Sequence, residues 1–400
     1  MYDITAIGST RSLFYEMSRY HSYLQTAAQL IDRYDGQMPF AVFSRDYFSQ
    51  HRKFGSRDRK LISHLCYACF RIGKAMAGAT VQDKILTGYF LGINQATEFL
   101  ETHRPDWNEQ AAASWEDKLK LLLPDFDPAK VFPWADQCSE GLDAALFNRS
   151  FFIQPDVFLR LRPGQEEAVL QKLQAAAVSF YQPDGHSVGL LPGEKIDAVI
   201  ETDKEAVVQD LSSQRTGDLL PVAVQSVWDC CAASGGKSIM VVDRLGPVKL
   251  TVTDIRKSIL VNLEQRFHRA GIHAYRSHVT DLAVENFRTD TLYDLVMADV
   301  PCTGSGTWSR TPEQLCFFDP AQIGRYAFLQ QQILKNVCRA VKPGGYLLYI
   351  TCSVFRKENE ENVHFINEQF HPELLRMELI KGFTKKADTM FAALFRMPLL

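Results

Sequence analysis

The sequence has no apolar run of 18 residues, and its first ten residues, MYDITAIGST, include neither a basic start nor a long apolar segment. These absences argue against a membrane-spanning helix and against a secretory signal. The 9 cysteines are odd in number and irregularly spaced, which argues against a disulfide framework. We therefore expect a cytoplasmic protein with reduced thiols, in which any chemical role of cysteine is nucleophilic or metal-binding.

An excess of charge of one sign is also lacking, because the formal net charge is −3. This balance argues against a protein held on nucleic acid by its overall charge, although a local basic surface remains possible. The chain has 400 residues, of which 46% are hydrophobic and 23% charged. That length and composition predict two or three domains, each able to bury a core.

Two nucleotide-binding motifs are incomplete around VWDCCAASGGKS, residues 227–238. A phosphate-binding loop needs glycine where Cys231 stands, and the dinucleotide pattern G-x-G-x-x-G is missing, so an NTPase and a nicotinamide enzyme are disfavoured. The segment still predicts a strand, a tight turn and a helix start. Asp254 follows Gly235 by about 20 residues, the distance at which related folds hold a ribose hydroxyl. A nucleoside cofactor without pyrophosphate fits best, and S-adenosylmethionine is the common one.

The N-terminal third has helical periodicity. Apolar residues recur at spacings of three and four over 13–34 and 61–72, and a third helix is predicted over 83–101. We interpret residues 1–125 as an all-helical domain. Within the second helix, Cys66 and Cys69 have no partner pair at metal-ligand spacing, so they are expected to pack in the core rather than bind a metal ion.

A dense basic segment, HRKFGSRDRK, separates the first two predicted helices. It is either a solvated loop with a first helical turn or an RNA phosphate contact. Its basic residues are Arg52, Lys53, Arg57, Arg59 and Lys60.

Prolines at 124, 128 and 133 indicate a linker, and a small α/β domain is expected over 126–206. Apolar and polar residues alternate over 157–162, which predicts a strand, and residues 166–180 have a helical pattern. Arg160 and Arg162 share the strand face opposite Leu159 and Leu161. Solvation of these arginines and contact with a polyanion are the two interpretations.

From residue 207 onward, strand and helix patterns alternate. Strands are predicted over 224–230, 249–254, 293–299 and 346–350, with helices over 257–270 and 323–341. Such alternation predicts a Rossmann-like, doubly wound parallel sheet with helices on both faces. Ligands of such sheets bind outside the carboxyl ends of the strands. Asp299, Cys302 and Cys352 follow two of those ends, so both cysteines are expected to face one crevice.

Four motifs together resemble the Nop/Sun family of RNA cytosine-5 methyltransferases, which includes the bacterial Sun (Fmu) ribosomal RNA enzyme. They are VVQDLSSQ at 207–214, DCCAASGGKS at 229–238, DVPCTGSG from 299 with Arg310 and Pro312, and TCSVFRKENE at 351–360. The resemblance is strong over 150–400 and includes TMFAALFRM as a closing strand. The helical N-terminus resembles, more weakly, the NusB-like RNA-binding domain of bacterial members.

The resemblance implies an S-adenosylmethionine-dependent methyltransferase domain over 207–400. Carbon 5 of cytosine is a poor nucleophile, and thiolate attack at carbon 6 activates it. The family pattern assigns that attack to Cys352 and product release to Cys302, with Asp299 on the base and Lys237 on the base or the cofactor. The implied cofactor contacts are Cys231, Ala232, Ala233, Ser234, Gly235, Gly236, Lys237, Asp254, Asp281 and Asp299.

The implied partner is RNA, and ribosomal RNA in particular, bound by a monomer without a metal ion or a membrane. Arg310 joins the basic residues above, with Arg160 and Arg162, as an expected RNA contact. Two positions depart from the family pattern. This chain has Ser234 where the family usually has proline, and Ser309 where the family commonly has arginine. The alternatives are a non-catalytic RNA-binding or ribosome-assembly factor, a tRNA rather than rRNA methyltransferase, and a DNA methyltransferase.

Overall fold

The computed structural model describes residues 5–191, 193–285 and 287–399, and side chains from residue 19 onward. Its α-helices are α1 (Thr5–Arg33), α2 (Phe40–Gln50), α3 (Ser56–Arg71), α4 (Val81–Gly92), α5 (Glu98–His103), α6 (Pro105–Asn108), α7 (Trp115–Leu122), α8 (Ala144–Ser150), α9 (Glu166–Ala175), α10 (Leu211–Arg215), α11 (Gly236–Leu245), α12 (Lys257–Arg269), α13 (Glu313–Phe317), α14 (Ala321–Val337) and α15 (Glu360–Phe370). Its strands are β1 (Val157–Leu161), β2 (Phe180–Asp184), β3 (Ser187–Leu190), β4 (Ala206–Val208), β5 (Ser226–Asp229), β6 (Lys249–Asp254), β7 (Tyr275–Val279), β8 (Tyr293–Asp299), β9 (Val341–Thr351), β10 (Glu373–Lys381) and β11 (Thr389–Arg396).

The first compact unit is helical and comprises residues up to Ala135, Ala144–Gln154 and Trp308–Phe318. Cys66 and Cys69 of α3 are buried in its core, as predicted. The continuous helix predicted over 83–101 is wrong, because Ile93 is extended after α4. The Thr97 hydroxyl then accepts a hydrogen bond from the Leu100 amide and caps a new helix, α5. The helix α2 was not predicted.

The second compact unit comprises Asp136–Asp143, Pro155–Thr307 and Asp319–Leu400. A four-stranded antiparallel sheet in the order β2-β3-β1-β4 forms its N-terminal part. The predicted helix over 166–180 is too long, because α9 ends at Ala175 and Ala177 takes a left-handed conformation with φ 52°. Phe180 therefore begins strand β2 instead of ending the helix.

The arginines of strand β1 are neither solvated nor available to a polyanion, which corrects both interpretations of their pattern. The side chains of Arg160 and Arg162 are 5% and 15% exposed, and both form ion pairs with Asp243 of α11. Arg162 also donates to the carbonyl of Ala270 at 2.6 Å. Because helix α11 covers this face of the strand, the alternating pattern marks a buried ion-pair network rather than a surface.

A seven-stranded sheet in the order β10-β11-β9-β8-β5-β6-β7 forms the rest of this unit. The five strands from β9 to β7 are parallel, as predicted, whereas β11 and β10 run antiparallel at one edge. Strands β6 and β8 have the predicted bounds. Within the described residues, no helix has the length and apolar character that crossing a lipid bilayer requires.

Helices cover both faces of this sheet. Val227 packs with Leu263 and Phe267 of α12 on one face. Its neighbour Trp228 packs with Ile333 and Val337 of α14 on the other. Consecutive strand residues thus enter opposite cores, as expected for a sheet buried on both sides.

Candidate active site

The carboxyl ends of the parallel strands border a cavity of about 580 Å³. The chain runs from β5 to β6 and β7 on one side and returns through β8 and β9 on the other, so β5 and β8 flank a topological switch point. Ligands of open α/β sheets bind at such a point. The volume lies in the range of small-molecule sites.

The turn after β5, residues 230–235, forms one wall of the cavity and is named the cofactor turn. It has two left-handed residues, Ala233 with φ 47° and Gly235 with φ 83°. A Cβ atom on Gly235 would lie 2.7 Å from Phe267 Cε1 of α12, so glycine is required by space as well as by conformation. The backbone amide of Ala233 donates to Asp254 Oδ2 at 3.0 Å, which joins the turn to the end of β6.

Ser234 of the cofactor turn is held by an arginine. Arg266 of α12 donates to the Ser234 hydroxyl at 2.9 Å and to its carbonyl oxygen at 3.2 Å. The same guanidinium forms an ion pair with Asp203 at 2.8 Å, and the Asp203 side chain is 1% exposed. Where the family resemblance places a rigid proline, this chain has a serine fixed from outside the turn by a buried ion pair.

The residues predicted to bind the cofactor divide into two groups. Those that line the cavity are Cys231, Ala233, Asp254, Asp281 and Asp299. Those that form the turn and helix start behind the lining are Ala232, Ser234, Gly235, Gly236 and Lys237. Asp281 is exposed and also accepts a hydrogen bond from the Ala283 amide at 2.9 Å.

The cavity has an apolar side that the sequence analysis did not identify. Ile255 and Leu282 line it near the two aspartates Asp254 and Asp281. An apolar surface beside carboxylates suits a nucleoside, whose base is flat and whose ribose hydroxyls donate hydrogen bonds. No motif marks such residues, because aliphatic side chains at strand ends resemble core positions.

An ion pair between Lys237 and Asp299 connects the two sides of the switch point. Lys237 Nζ of α11 donates to Asp299 Oδ2 at the end of β8 at 2.7 Å, and the side chains are 14% and 25% exposed. Burial alone lowers the pKa of Lys237, but the Asp299 carboxylate outweighs it and keeps this pKa above its usual value. The lysine therefore stays charged and fixes the carboxylate at the cavity wall.

The two predicted cysteines meet on the opposite wall. Cys302 follows β8, Cys352 follows β9, and their sulfur atoms are 3.3 Å apart. The hydrogen bond to Cys352, together with burial, raises the pKa of Cys302 well above its usual value. Either thiol can donate in this contact, and a protonated Cys302 can donate to the sulfur of Cys352.

A backbone hydrogen bond joins the segments that carry these cysteines. They are named the Cys302 loop (residues 300–304) and the Cys352 loop (residues 352–355). The Gly306 amide, just after the first loop, donates to the Cys352 carbonyl oxygen at 2.9 Å. Sequence analysis missed a further connection, the buried carboxylate of Glu358, although the motif that contains it was identified.

The basic segment lies in the helical unit, between α2 and the first turns of α3. Arg52, Lys53, Arg57 and Lys60 are exposed, whereas Arg59 is partly buried and donates to the Phe54 carbonyl oxygen at 2.8 Å. The one acid of the segment, Asp58, accepts from the Tyr23 hydroxyl and the Gly55 amide. Cations therefore dominate the exposed surface of the segment.

Arg310 lies in the same helical unit and is partly buried. Its segment, Trp308–Phe318, packs Trp308 against Phe132 and Phe318.

Comparisons with known proteins match the part of the chain that lines the cavity. A family profile described as "16S rRNA methyltransferase RsmB/F" matches residues 218–394, which include both cysteine loops. A probable ribosomal RNA small subunit methyltransferase B of Bacillus subtilis is 30% identical over 273 residues, or 65% of this chain and 60% of that protein. A ribosomal RNA small subunit methyltransferase B of Yersinia enterocolitica is 30% identical over 314 residues, or 73% of this chain and 67% of that protein.

The chain spans little more than half the length of several other curated relatives, including two from Xylella fastidiosa at 53% and 54%. Among solved structures, that of PH0851 aligns with a TM-score of 0.68 at 19% identity and covers 93% of this chain and 98% of that one. Identity at this level supports the fold alone.

Proposed function

The chain belongs to the RsmB/F family of ribosomal RNA methyltransferases, and we propose that it methylates carbon 5 of a cytidine in RNA. The observation that carries this proposal is the pair of sulfur atoms, Cys302 and Cys352, 3.3 Å apart beside Asp299. Methylation of a nitrogen or an oxygen needs no such nucleophile, whereas carbon 5 of cytosine needs one. Ribosomal RNA is the proposed substrate because the curated relatives are named for it.

S-adenosylmethionine is the cofactor and supplies the methyl group. The geometry fits it, because Asp254 can accept from ribose hydroxyls and Ile255 and Leu282 can flank the adenine. Cys231 and Ala233 of the cofactor turn would hold the methionine end. Lys237, on the helix that follows the turn, pairs with Asp299 at the end of β8.

Cys352 is the proposed nucleophile. Its thiolate forms a bond to carbon 6 of the cytosine, and the electron pair of the ring double bond moves to carbon 5, which takes the methyl group. Carbon 5 then loses its proton to solvent water, the bond to the sulfur of Cys352 breaks, and the double bond reforms, while the Cys302 thiol stabilises the departing Cys352 thiolate with a hydrogen bond. We assign Cys302 to this release, because it retains its proton beside Cys352 and lies within reach of the same base.

Asp299 is the proposed partner of the base. Its carboxylate can accept from the exocyclic amino group, and the Lys237 ammonium, 2.7 Å from Oδ2, offsets the negative charge that develops when the thiolate adds. The target cytosine has to leave its stack to reach this position between the two walls.

The helical N-terminus and its basic segment are proposed to bind RNA phosphates, in the manner of a NusB-like domain. This assignment retains the division into residues 1–125, 126–206 and 207–400, and it gives Arg52, Lys53, Arg57 and Lys60 the clearest role because they are exposed. Arg310 is a further proposed RNA contact. We expect a monomer, and a substrate in ribosomal RNA places the proposed activity in the cytoplasm.

The test is transfer of a labelled methyl group from S-adenosylmethionine to free ribosomal RNA, to small subunits and to tRNA in separate samples. Mass spectrometry of the digested nucleosides is expected to find the label in 5-methylcytidine from the ribosomal samples, and bisulfite sequencing then locates the nucleotide. Label in another nucleoside would contradict the proposal. Label from tRNA alone would identify a tRNA enzyme instead.

A matched variant separates catalysis from binding. Cys352→Ala is expected to abolish transfer while calorimetry finds unchanged affinity for S-adenosylmethionine. If the unmodified protein binds no S-adenosylmethionine but binds RNA, a non-catalytic RNA-binding or assembly factor replaces the enzyme as the explanation.

A further inference from the structure

Glu358 is a buried carboxylate to which the proposed reaction assigns no role. Its residue is 0% exposed, and it ends the short turn Arg356–Glu358 between the Cys352 loop and α15. A buried charge is costly unless hydrogen bonds compensate for it. The compensating groups therefore indicate what this carboxylate holds in place.

Four hydrogen bonds reach the Glu358 carboxylate from three segments. Oε1 accepts from the Ser353 hydroxyl at 2.5 Å and from the Thr303 hydroxyl at 2.6 Å. Oε2 accepts from the Thr303 backbone amide at 2.9 Å and from Gln330 Nε2 of α14 at 3.0 Å. Thr303 directly follows Cys302, and Ser353 directly follows Cys352.

We propose that Glu358 is a positioning residue that sets the distance between the sulfur atoms of Cys302 and Cys352. One carboxylate bonds to the residue after each cysteine, so a shift of either loop stretches a charge-assisted hydrogen bond. The catalytic consequence rests on the proposed function, whereas the positioning itself does not.

Gln330 extends this connection to the other side of Cys302. Its Nε2 donates both to Glu358 and to the carbonyl oxygen of Pro301, the residue before Cys302, at 3.0 Å. Its Oε1 accepts from Asn362 Nδ2 at 2.6 Å. The Cys302 loop is thus held on both sides of the cysteine by groups bonded to one carboxylate.

The contacts favour the ionised form of Glu358. The Thr303 amide and Gln330 Nε2 can only donate, and the two hydroxyls donate to the opposite oxygen. Burial raises the pKa of Glu358, and these hydrogen bonds oppose the rise. The Glu358 charge also helps to keep Cys302 protonated.

The Glu358→Gln variant tests the proposal with little change in volume. The amide oxygen of the glutamine has to accept from the Thr303 backbone amide and from Gln330 Nε2. Its NH₂ group then faces the hydroxyls of Thr303 and Ser353, and these lose their acceptor because an NH₂ group cannot accept a hydrogen bond. Single-turnover RNA methylation is expected to slow about 100-fold, the scale of an approximately 1 Å misplacement of a reacting group. The affinity for S-adenosylmethionine is expected to stay unchanged.

The matched control is Glu360→Gln, the same change two residues further along. Glu360 accepts from the Ser139 hydroxyl at 2.9 Å and from the Glu140 amide at 3.2 Å, and neither residue adjoins Cys302 or Cys352. This variant is expected to methylate at the unmodified rate.

A second measurement needs no methylation. Phenylarsine oxide condenses with two neighbouring thiols, forming two As–S bonds and releasing water, so its affinity reports the placement of the sulfur atoms. Glu358→Gln is expected to bind it about tenfold more weakly than Glu360→Gln, the cost of one lost hydrogen bond to a charged group. Cys302→Ser, which removes one thiol of the pair, sets the background from the other cysteines.

Thr303→Val serves if Glu358→Gln does not fold, because it removes one hydroxyl donor and keeps the backbone amide. A folded variant of either kind with unchanged methylation and unchanged arsenical affinity overturns the proposal. If the unmodified protein methylates no RNA while Glu358→Gln still weakens arsenical binding, the positioning role stands and the proposed function fails.

Discussion

Asp229 and Glu358 are buried carboxylates beneath opposite walls of the same cavity, and their hydrogen-bond partners differ. Glu358 accepts four hydrogen bonds, whereas Asp229 accepts one, from the Ser238 hydroxyl at 2.5 Å. Within the described part of the chain, the other Asp229 oxygen, Oδ1, is buried without a hydrogen-bond partner.

The number of hydrogen bonds differs because the two walls present different groups to the cavity. The cofactor turn offers backbone groups, whose positions follow from two left-handed residues and the start of α11. The other wall presents two sulfur atoms from separate strands, and fixing side chains relative to each other requires shared partners. We therefore expect changes in the cofactor turn to affect binding of S-adenosylmethionine, and changes at the other wall to affect the reaction rate.

Among the variants that compare the two walls, Asp299→Asn has the largest expected effect. The substitution removes the charge that pairs with Lys237 and the acceptor proposed for the base, so single-turnover methylation should fall about 100-fold to 1000-fold. Asp254→Asn is the contrasting variant, and it should weaken binding of S-adenosylmethionine in calorimetry with a smaller effect on the rate at saturation. Equal effects of both variants on cofactor affinity would remove the distinction between the walls.

Gly235→Ala should disrupt the cofactor turn. The added Cβ meets Phe267 Cε1 at 2.7 Å in a backbone with φ 83°, and such strain costs about 1–3 kcal/mol. We expect a lower melting temperature and roughly tenfold weaker binding of S-adenosylmethionine. Gly236→Ala is the control, because its nearest neighbour, Arg266 NH1, is 3.7 Å away and its φ is ordinary. Equal melting temperatures for the two variants would show that the turn is not restricted to glycine at 235.

Asp229→Asn should change how stability depends on pH. Burial raises the pKa of Asp229 from 3.8 to about 7, so between these values the folded protein keeps a proton that the unfolded chain releases. The free energy of unfolding contributed by Asp229 therefore falls as pH rises through this window, by at most about 1.4 kcal/mol per pH unit.

Asparagine does not titrate, so the stability of the unmodified protein relative to Asp229→Asn should decline between pH 4 and pH 7. Urea unfolding of both proteins across this range measures the difference. A difference that stays constant with pH would mean that Asp229 is not held in a protonated form.

The smallest expected effect is that of Ser234→Ala. It removes one hydrogen bond from Arg266, which keeps the Ser234 carbonyl oxygen and Asp203 as partners, so the loss of stability should be about 1 kcal/mol or less. Thermal unfolding and calorimetry with S-adenosylmethionine check this expectation. A cofactor affinity reduced more than tenfold would make the Ser234 hydroxyl a main support of the turn.

The parallel part of the sheet could be predicted because its strands are short apolar runs that end in polar residues. The bounds of β6 and β8 were obtained in this way, as was the placement of Cys302 and Cys352 at neighbouring strand ends. The helix break after Gly92 could not be predicted, because the apolar pattern continues through it. The one signal in the sequence was Thr97, whose side chain caps the new helix α5.

The sequence did not indicate which charged residues are buried or which groups they pair with. Arg160 and Arg162 alternate with leucines as surface residues do, and only the covering helix α11 shows that they are buried. Glu358 lies in a run of charged residues that resembles a solvated helix start. The signal available in the sequence was the hydroxyl residue after each cysteine, Thr303 and Ser353, which is informative only once both loops are known to meet.

The most direct test of the central claim is the covalent complex formed by the two cysteine variants with RNA and S-adenosylmethionine. On denaturing gels, Cys302→Ala should accumulate RNA bound to the protein, because Cys352 can attack carbon 6 and release is impaired. Cys352→Ala should form no such complex. Accumulation with Cys352→Ala and none with Cys302→Ala would contradict the assigned roles.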